Sequence, residues 1–130
     1  MTRQEILDTL IYLEYFPEKK ETVFSYLEDY IHKMDVEMID KLLEAGASPQ
    51  AKDELSDYLH HLLSEYQTSK TLHGEKILII TEALLRAGAN PNGVWCNNWR
   101  AYDYAVENGI NEMKELLEKY GAETKVRNYV

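Results

Sequence analysis

Apolar residues recur three and four positions apart along most of this chain, the spacing imposed by one face of an α-helix. Ile6, Leu7, Leu10 and Leu13, followed by Tyr15 and Phe16, predict a helix over residues 3–16. It should end before Pro17, because the residue preceding a proline is pushed out of the α region. Val23, Phe24, Tyr26, Leu27, Tyr30 and Ile31 predict a second helix over 22–32, with Thr22 placed to cap it. Further helices are expected over 54–66 and 76–87, with the stretch from Gln67 to Glu75 inserted between them.

Three segments then repeat one another. Residues 37–49, 79–91 and 112–122 each carry a Gly-Ala pair at or near their end, at Gly46-Ala47, Gly88-Ala89 and Gly121-Ala122. Four places before each Gly stand Leu42, Leu84 and Leu117, and eight places before it Met38, Ile80 and Met113. A spacing of four puts both side chains on one helix face. The Gly falls where a helix stops in a left-handed residue, a conformation Gly adopts without a Cβ clash. Each segment therefore predicts an amphipathic helix with a glycine stop, and the whole chain predicts seven helices.

Gly88 and Gly121 are 33 residues apart, and Gly46 and Gly88 are 42 apart. A 33-residue period ending in Leu-Leu-x-x-Gly-Ala resembles the ankyrin repeat. Asp35 through Gln50 and Gly109 through Glu123 follow the second half of that family's unit, and Gly88-Ala89-Asn90-Pro91-Asn92-Gly93 resembles its hairpin entry. Of the family's Thr-Pro-Leu-His-x-Ala opening, Arg100-Ala101-Tyr102-Asp103-Tyr104-Ala105 keeps the final Ala, and Asp57-Tyr58-Leu59-His60 keeps Leu-His with a one-residue slip. The resemblance implies a single all-α domain, an ankyrin-like helical repeat array of three helix pairs joined by short hairpin loops. Residues 1–20 would form an N-terminal capping helix, and 66–76 an insertion in the middle repeat. It also implies that hairpin tips and adjoining inner helices meet a partner. Here that stretch holds Trp95 and Trp99, with Trp95 and Asn98 standing where the family prefers Asp and Gly. A Trp buried at an interface contributes heavily to binding; the same residue folded over the last repeat would be a lid.

Charge narrows the partner. The formal net charge is −9 and the pI about 4.9. Residues 1–65 hold six Lys/Arg against fifteen Asp/Glu, while residues 66–130 hold eight of each, so the imbalance lies wholly in the first half. Nucleic acid and anionic membrane surfaces carry the same sign and are disfavoured; a basic protein is favoured, although acidic faces also serve solubility alone. Apolar residues at 45% and charged residues at 28% fit an ordinary globular domain. One cysteine, Cys96, provides for neither an intramolecular disulfide nor a structural zinc site. No apolar run exceeds four residues, Ile77-Leu78-Ile79-Ile80 among them, which is too short for a membrane span, and the start of the chain lacks a signal-peptide pattern. A monomeric cytoplasmic protein is expected.

Motifs of catalysis are missing. There is no phosphate-cradling glycine loop, CxxC pair or HExxH helix. His60 and His61 are adjacent and face different ways on a helix; His61 and Glu65 share a face, but two ligands do not make a metal site. Cys96 has no His near it in sequence to act as its base. Tyr26 and Tyr30, or Tyr102 and Tyr104, either line a recognition surface or sit half-buried with their hydroxyls toward water. The reading is a protein-interaction module without catalysis, cofactor or metal: an acidic binder or inhibitor of a basic partner, of immunity or regulatory type. Its expected contacts are Asp53, Glu54, Asp57, Trp95, Asn97, Trp99 and Asp103. An adaptor or structural subunit is the alternative, and a metal-dependent hydrolase using His60, His61 or His73 a more distant one.

Overall fold

A computed structural model describes residues 1–50, 58–93 and 100–124, with the backbone alone at 67–73. All regular elements among the described residues are helical, and the chain divides into two compact units, Met1–Ser48 and Pro49–Val130. Among the described residues no helix is long and apolar enough to cross a membrane.

The first unit holds α1 (Arg3–Ile11), α2 (Lys20–Phe24), α3 (Leu27–Lys33) and α4 (Val36–Glu44), with two 3-10 turns at Leu13–Tyr15 and Pro17–Lys19 between α1 and α2. Thr2 caps α1 by accepting from the Glu5 amide, and Asp35 caps α4 by accepting from the Met38 amide. Ile6, Val23, Leu27, Ile31, Met38, Ile39 and Leu42 close its core. The helix expected over 3–16 stops at Ile11. Ile6 is the sole fully buried residue of α1, and a short helix with so little buried surface has nothing to extend it, so the chain tightens into 3-10 turns. The helix expected over 22–32 is two helices beginning at Lys20, which places Thr22 inside α2 rather than at its cap. Ser25 Oγ donates back to the Thr22 carbonyl, and the Tyr26 amide bonds three residues back to Val23, a local competition that ends the first piece.

The second unit is built on α5 (Tyr58–Arg86), a helix of 29 residues, with α6 (Ala101–Glu107) and α7 (Asn111–Lys119) packed on it and on each other. The expected pair over 54–66 and 76–87, with 66–76 inserted between them, is thus one continuous helix among the described residues. Residues 67–75 contain no proline, and a single interior glycine such as Gly74 costs only about 1 kcal/mol. The buried stripe also stays in phase: Tyr66 and Ile77 are eleven residues apart, three helical turns, so Leu59, Leu63 and Tyr66 share a face with Ile77, Ile80 and Leu84. Lys119 of α7 reaches Glu82 of α5 at 3.0 Å, and the Tyr66 hydroxyl donates to Glu112 of α7 at 3.4 Å. Seven α-helices are present among the described residues, the expected number, but divided differently along the chain.

One closure recurs at the helix ends. At Gly46, Gly88 and Gly121 the φ angles are 109°, 109° and 90°. The amide after each glycine bonds to the carbonyl five residues back (Ala47 to Leu42, Ala89 to Leu84, Ala122 to Leu117), while the glycine amide bonds three residues back. This is the paired pattern that satisfies the last helical carbonyls, and the alanine after each glycine is buried, as is the C3 leucine. Leu42, Leu84 and Leu117 are fully buried, as are Met38 and Ile80, and Met113 is almost so. The same pair of bonds ends α6 at Gly109 and α3 at Met34, where a side-chain-bearing residue takes φ 55° and ψ 39°.

Candidate partner-binding surface

Of the residues expected to meet a partner, Asp53, Glu54, Asp57, Trp95, Asn97 and Trp99 lie outside the described residues, as does Cys96. Asp103 is described, and its carboxylate is engaged within the chain. Arg100 precedes α6 and is fully buried. Its Nη2 donates to Asp103 Oδ1 at 2.7 Å and its Nε to Oδ2 at 2.9 Å, a two-pronged pair that geometry makes strong. The Arg100 backbone amide adds a third bond to Asp103 Oδ2 at 3.1 Å, the helix-start role of an acidic N3 residue. With its side chain 8% exposed, Asp103 neutralises a buried guanidinium and leaves little carboxylate for a partner. Asp103, expected to meet a partner, is thus engaged with Arg100 within the chain. Its sequence signal was an Arg-x-x-Asp spacing at a helix start.

A second set of bonds ties the loops of this unit together. The Gln50 side-chain carbonyl accepts from the Asn90 amide at 2.8 Å, and Asn92 Oδ1 accepts from the Glu123 amide at 2.7 Å. Both follow one rule: the side chain four residues after a closing glycine accepts from the amide two residues after the next one. Arg100 Nη1 also donates to the Glu123 carbonyl at 2.8 Å. Asn92 and Arg100, on either side of residues 94–99, are therefore both bound to Glu123. Asn90 turns its own loop by accepting from the Asn92 amide at 2.9 Å.

The tyrosines are mostly occupied. Tyr30 and Tyr102 are buried, Tyr26 and Tyr104 half-buried. Tyr102 donates to Glu118 at 2.8 Å, and burial pushes its hydroxyl above the usual phenol range, as it does for Tyr30 and Tyr66. Hydrogen bonding from Arg3 at 3.0 Å holds the Asp35 carboxyl below its ordinary range despite partial burial. Lys119 does the same for Glu82. His60 is buried on α5, and His32 stands 3.7 Å from Glu28. Among the described residues no group of three or more His, Cys, Asp or Glu is arranged to hold a metal ion.

What the sequence reading missed lies after α1. Ile11, Tyr12, Tyr15 and Phe16 are 69%, 55%, 70% and 43% exposed, a cluster of exposed apolar residues within six positions of sequence, termed the shelf below. The signal was present in the unbroken run Leu10-Ile11-Tyr12-Leu13. Four successive apolar residues span nearly the whole circumference of a helix, so they cannot all face one core. Lys19 lies over the Phe16 ring at 5.1 Å, a cation on an aromatic face. Comparison with family models, curated proteins and solved structures finds no match to this chain.

Proposed function

We propose that this protein is a non-enzymatic interaction module, an ankyrin-like repeat array that captures a basic protein and acts as its inhibitor or regulator. The observation that carries the proposal is the placement of charge. The first unit, Met1–Ser48, holds eleven acidic and five basic residues, a net of −6, two-thirds of the whole chain's −9. A field of one sign on one compact unit raises the encounter rate with a partner of opposite sign. The repeat reading draws support from the closure shared by Gly46, Gly88 and Gly121, and from the Gln50 and Asn92 bonds that join successive loops by one rule. Loops held in this way lose little conformational freedom on binding.

The test uses a panel of small globular proteins of high and low pI, with association measured by surface plasmon resonance from low to physiological salt. Capture should favour the basic members, and the association rate should fall about tenfold or more as salt rises. A rate indifferent to ionic strength overturns the electrostatic proposal. Helix pairs found not to stack side by side in a crystal structure overturn the repeat assignment.

A further inference from the structure

We infer that the shelf formed by Ile11, Tyr12, Tyr15 and Phe16 is the docking site for an amphipathic segment of the basic partner, one that carries Arg or Lys beside large apolar side chains. The inference rests on the acidic-binder reading and adds to it where the partner lands and what its contact segment looks like. Three observations select this occupant. The four side chains fall within six residues of one another and are all exposed, apolar surface that water solvates poorly and an apolar side chain covers well. The carboxylates interleaved with them, Asp8 one turn before Ile11 and Tyr12, Glu14 beside Tyr15, and Glu18 three residues past it, are all acidic and exposed. Of the basic residues in and just after this stretch, Arg3 is taken up by Asp35 and Glu37, and Lys19 and Lys20 lie over the Phe16 and Phe24 rings, while among the described residues no cation pairs with Glu14 or Glu18. Finally, Lys19 above Phe16 shows how a cation sits on a ring of this shelf. A purely basic segment would leave the apolar surface wet, and a purely apolar one would leave the carboxylates facing nothing. A segment with both satisfies the site.

Two fluorescein-labelled peptides probe it by anisotropy: octa-arginine, and an 18-residue peptide with Arg and Leu at helical spacing. The protein is compared with a double variant, Ile11→Ser with Tyr15→Ser, at two positions exposed enough to change without disturbing the core. The wild-type chain should bind the Arg-Leu peptide about tenfold more tightly than octa-arginine, since buried apolar anchors dominate such contacts. In the variant that advantage should disappear while octa-arginine binding stays the same. Undiminished Arg-Leu binding by a variant with a native circular dichroism spectrum overturns the assignment of the shelf. Failure of the wild-type chain to bind either peptide at low salt overturns the acidic-binder reading itself. A wild-type dimer in sedimentation that the double variant reduces to monomer assigns the shelf to a second copy and also overturns the inference.

Discussion

Met34 is the one described residue other than glycine with a positive φ, and it closes α3 with the bonds that glycine makes elsewhere in the chain. A Cβ in this conformation costs about 1–2 kcal/mol, so Met34→Gly should raise stability by about 0.5–1 kcal/mol after the extra freedom of the unfolded glycine is counted. Urea denaturation reads this as a higher midpoint with an unchanged slope. Asp35, the next residue, makes a second prediction. Its carboxyl is held below the ordinary range, first by the Arg3 hydrogen bond, so the folded state releases its proton more readily than the unfolded state does. The resulting stabilisation is fully present above about pH 5. It is lost as pH falls through the lowered value, below the ordinary carboxylate pKa near 4. Asp35→Asn should therefore flatten stability against pH on the acid side, measured as urea midpoints between about pH 5 and 2. Arg100 and Asp103 show the limit of reading single residues. Their i,i+3 spacing was visible, but the buried guanidinium also bonds to the carbonyl of Glu123, twenty-three residues away, which no local pattern announces.

At the scale of elements, what the sequence revealed was set by local chemistry. The stops at Gly46, Gly88 and Gly121 were legible because a left-handed closing residue, a buried leucine four places back and a small residue after it form a self-contained pattern. The extents of the helices were not. Nothing local told the chain around Ile11 to tighten, because the loss of a packing partner there is a tertiary fact. A periodicity that pauses over Gln67 to Glu75 reads equally as a loop or as a helix whose surroundings change. Phase resolves the two only afterwards, through the eleven-residue step from Tyr66 to Ile77. Lys70→Pro separates them experimentally: in a continuous helix it should cost about 3 kcal/mol, measured by urea denaturation, whereas a surface loop would absorb it with little change.

Across the whole molecule, the imbalance of charge was legible in the sequence, and the exposed apolar cluster after α1 was not anticipated. The expected contacts clustered around residues 53–57 and 95–103, and the one described among them, Asp103, is engaged with Arg100. The exposed aromatic shelf lies instead in the unit that carries most of the net charge. The run Leu10-Ile11-Tyr12-Leu13 signalled that some of these side chains face outward but not which ones, because large apolar residues in a helical pattern normally signify core. If charge guides the approach and the shelf holds the partner, added salt should slow capture while leaving release nearly unchanged. The double variant should have the opposite effect, faster release at an unaltered association rate, and stopped-flow traces with the Arg-Leu peptide distinguish the two.

The glycine closures carry an implication for how such a chain can lengthen. Each draws only on residues of its own helix end, and each side-chain stitch reaches no farther than the following loop. Under the proposed repeat reading, a gene segment copied from one glycine stop to the next would bring its own stop and its own tether, without asking any distant part of the protein to change. Modularity of that kind lets the surface available for recognition grow while the established interior is left alone.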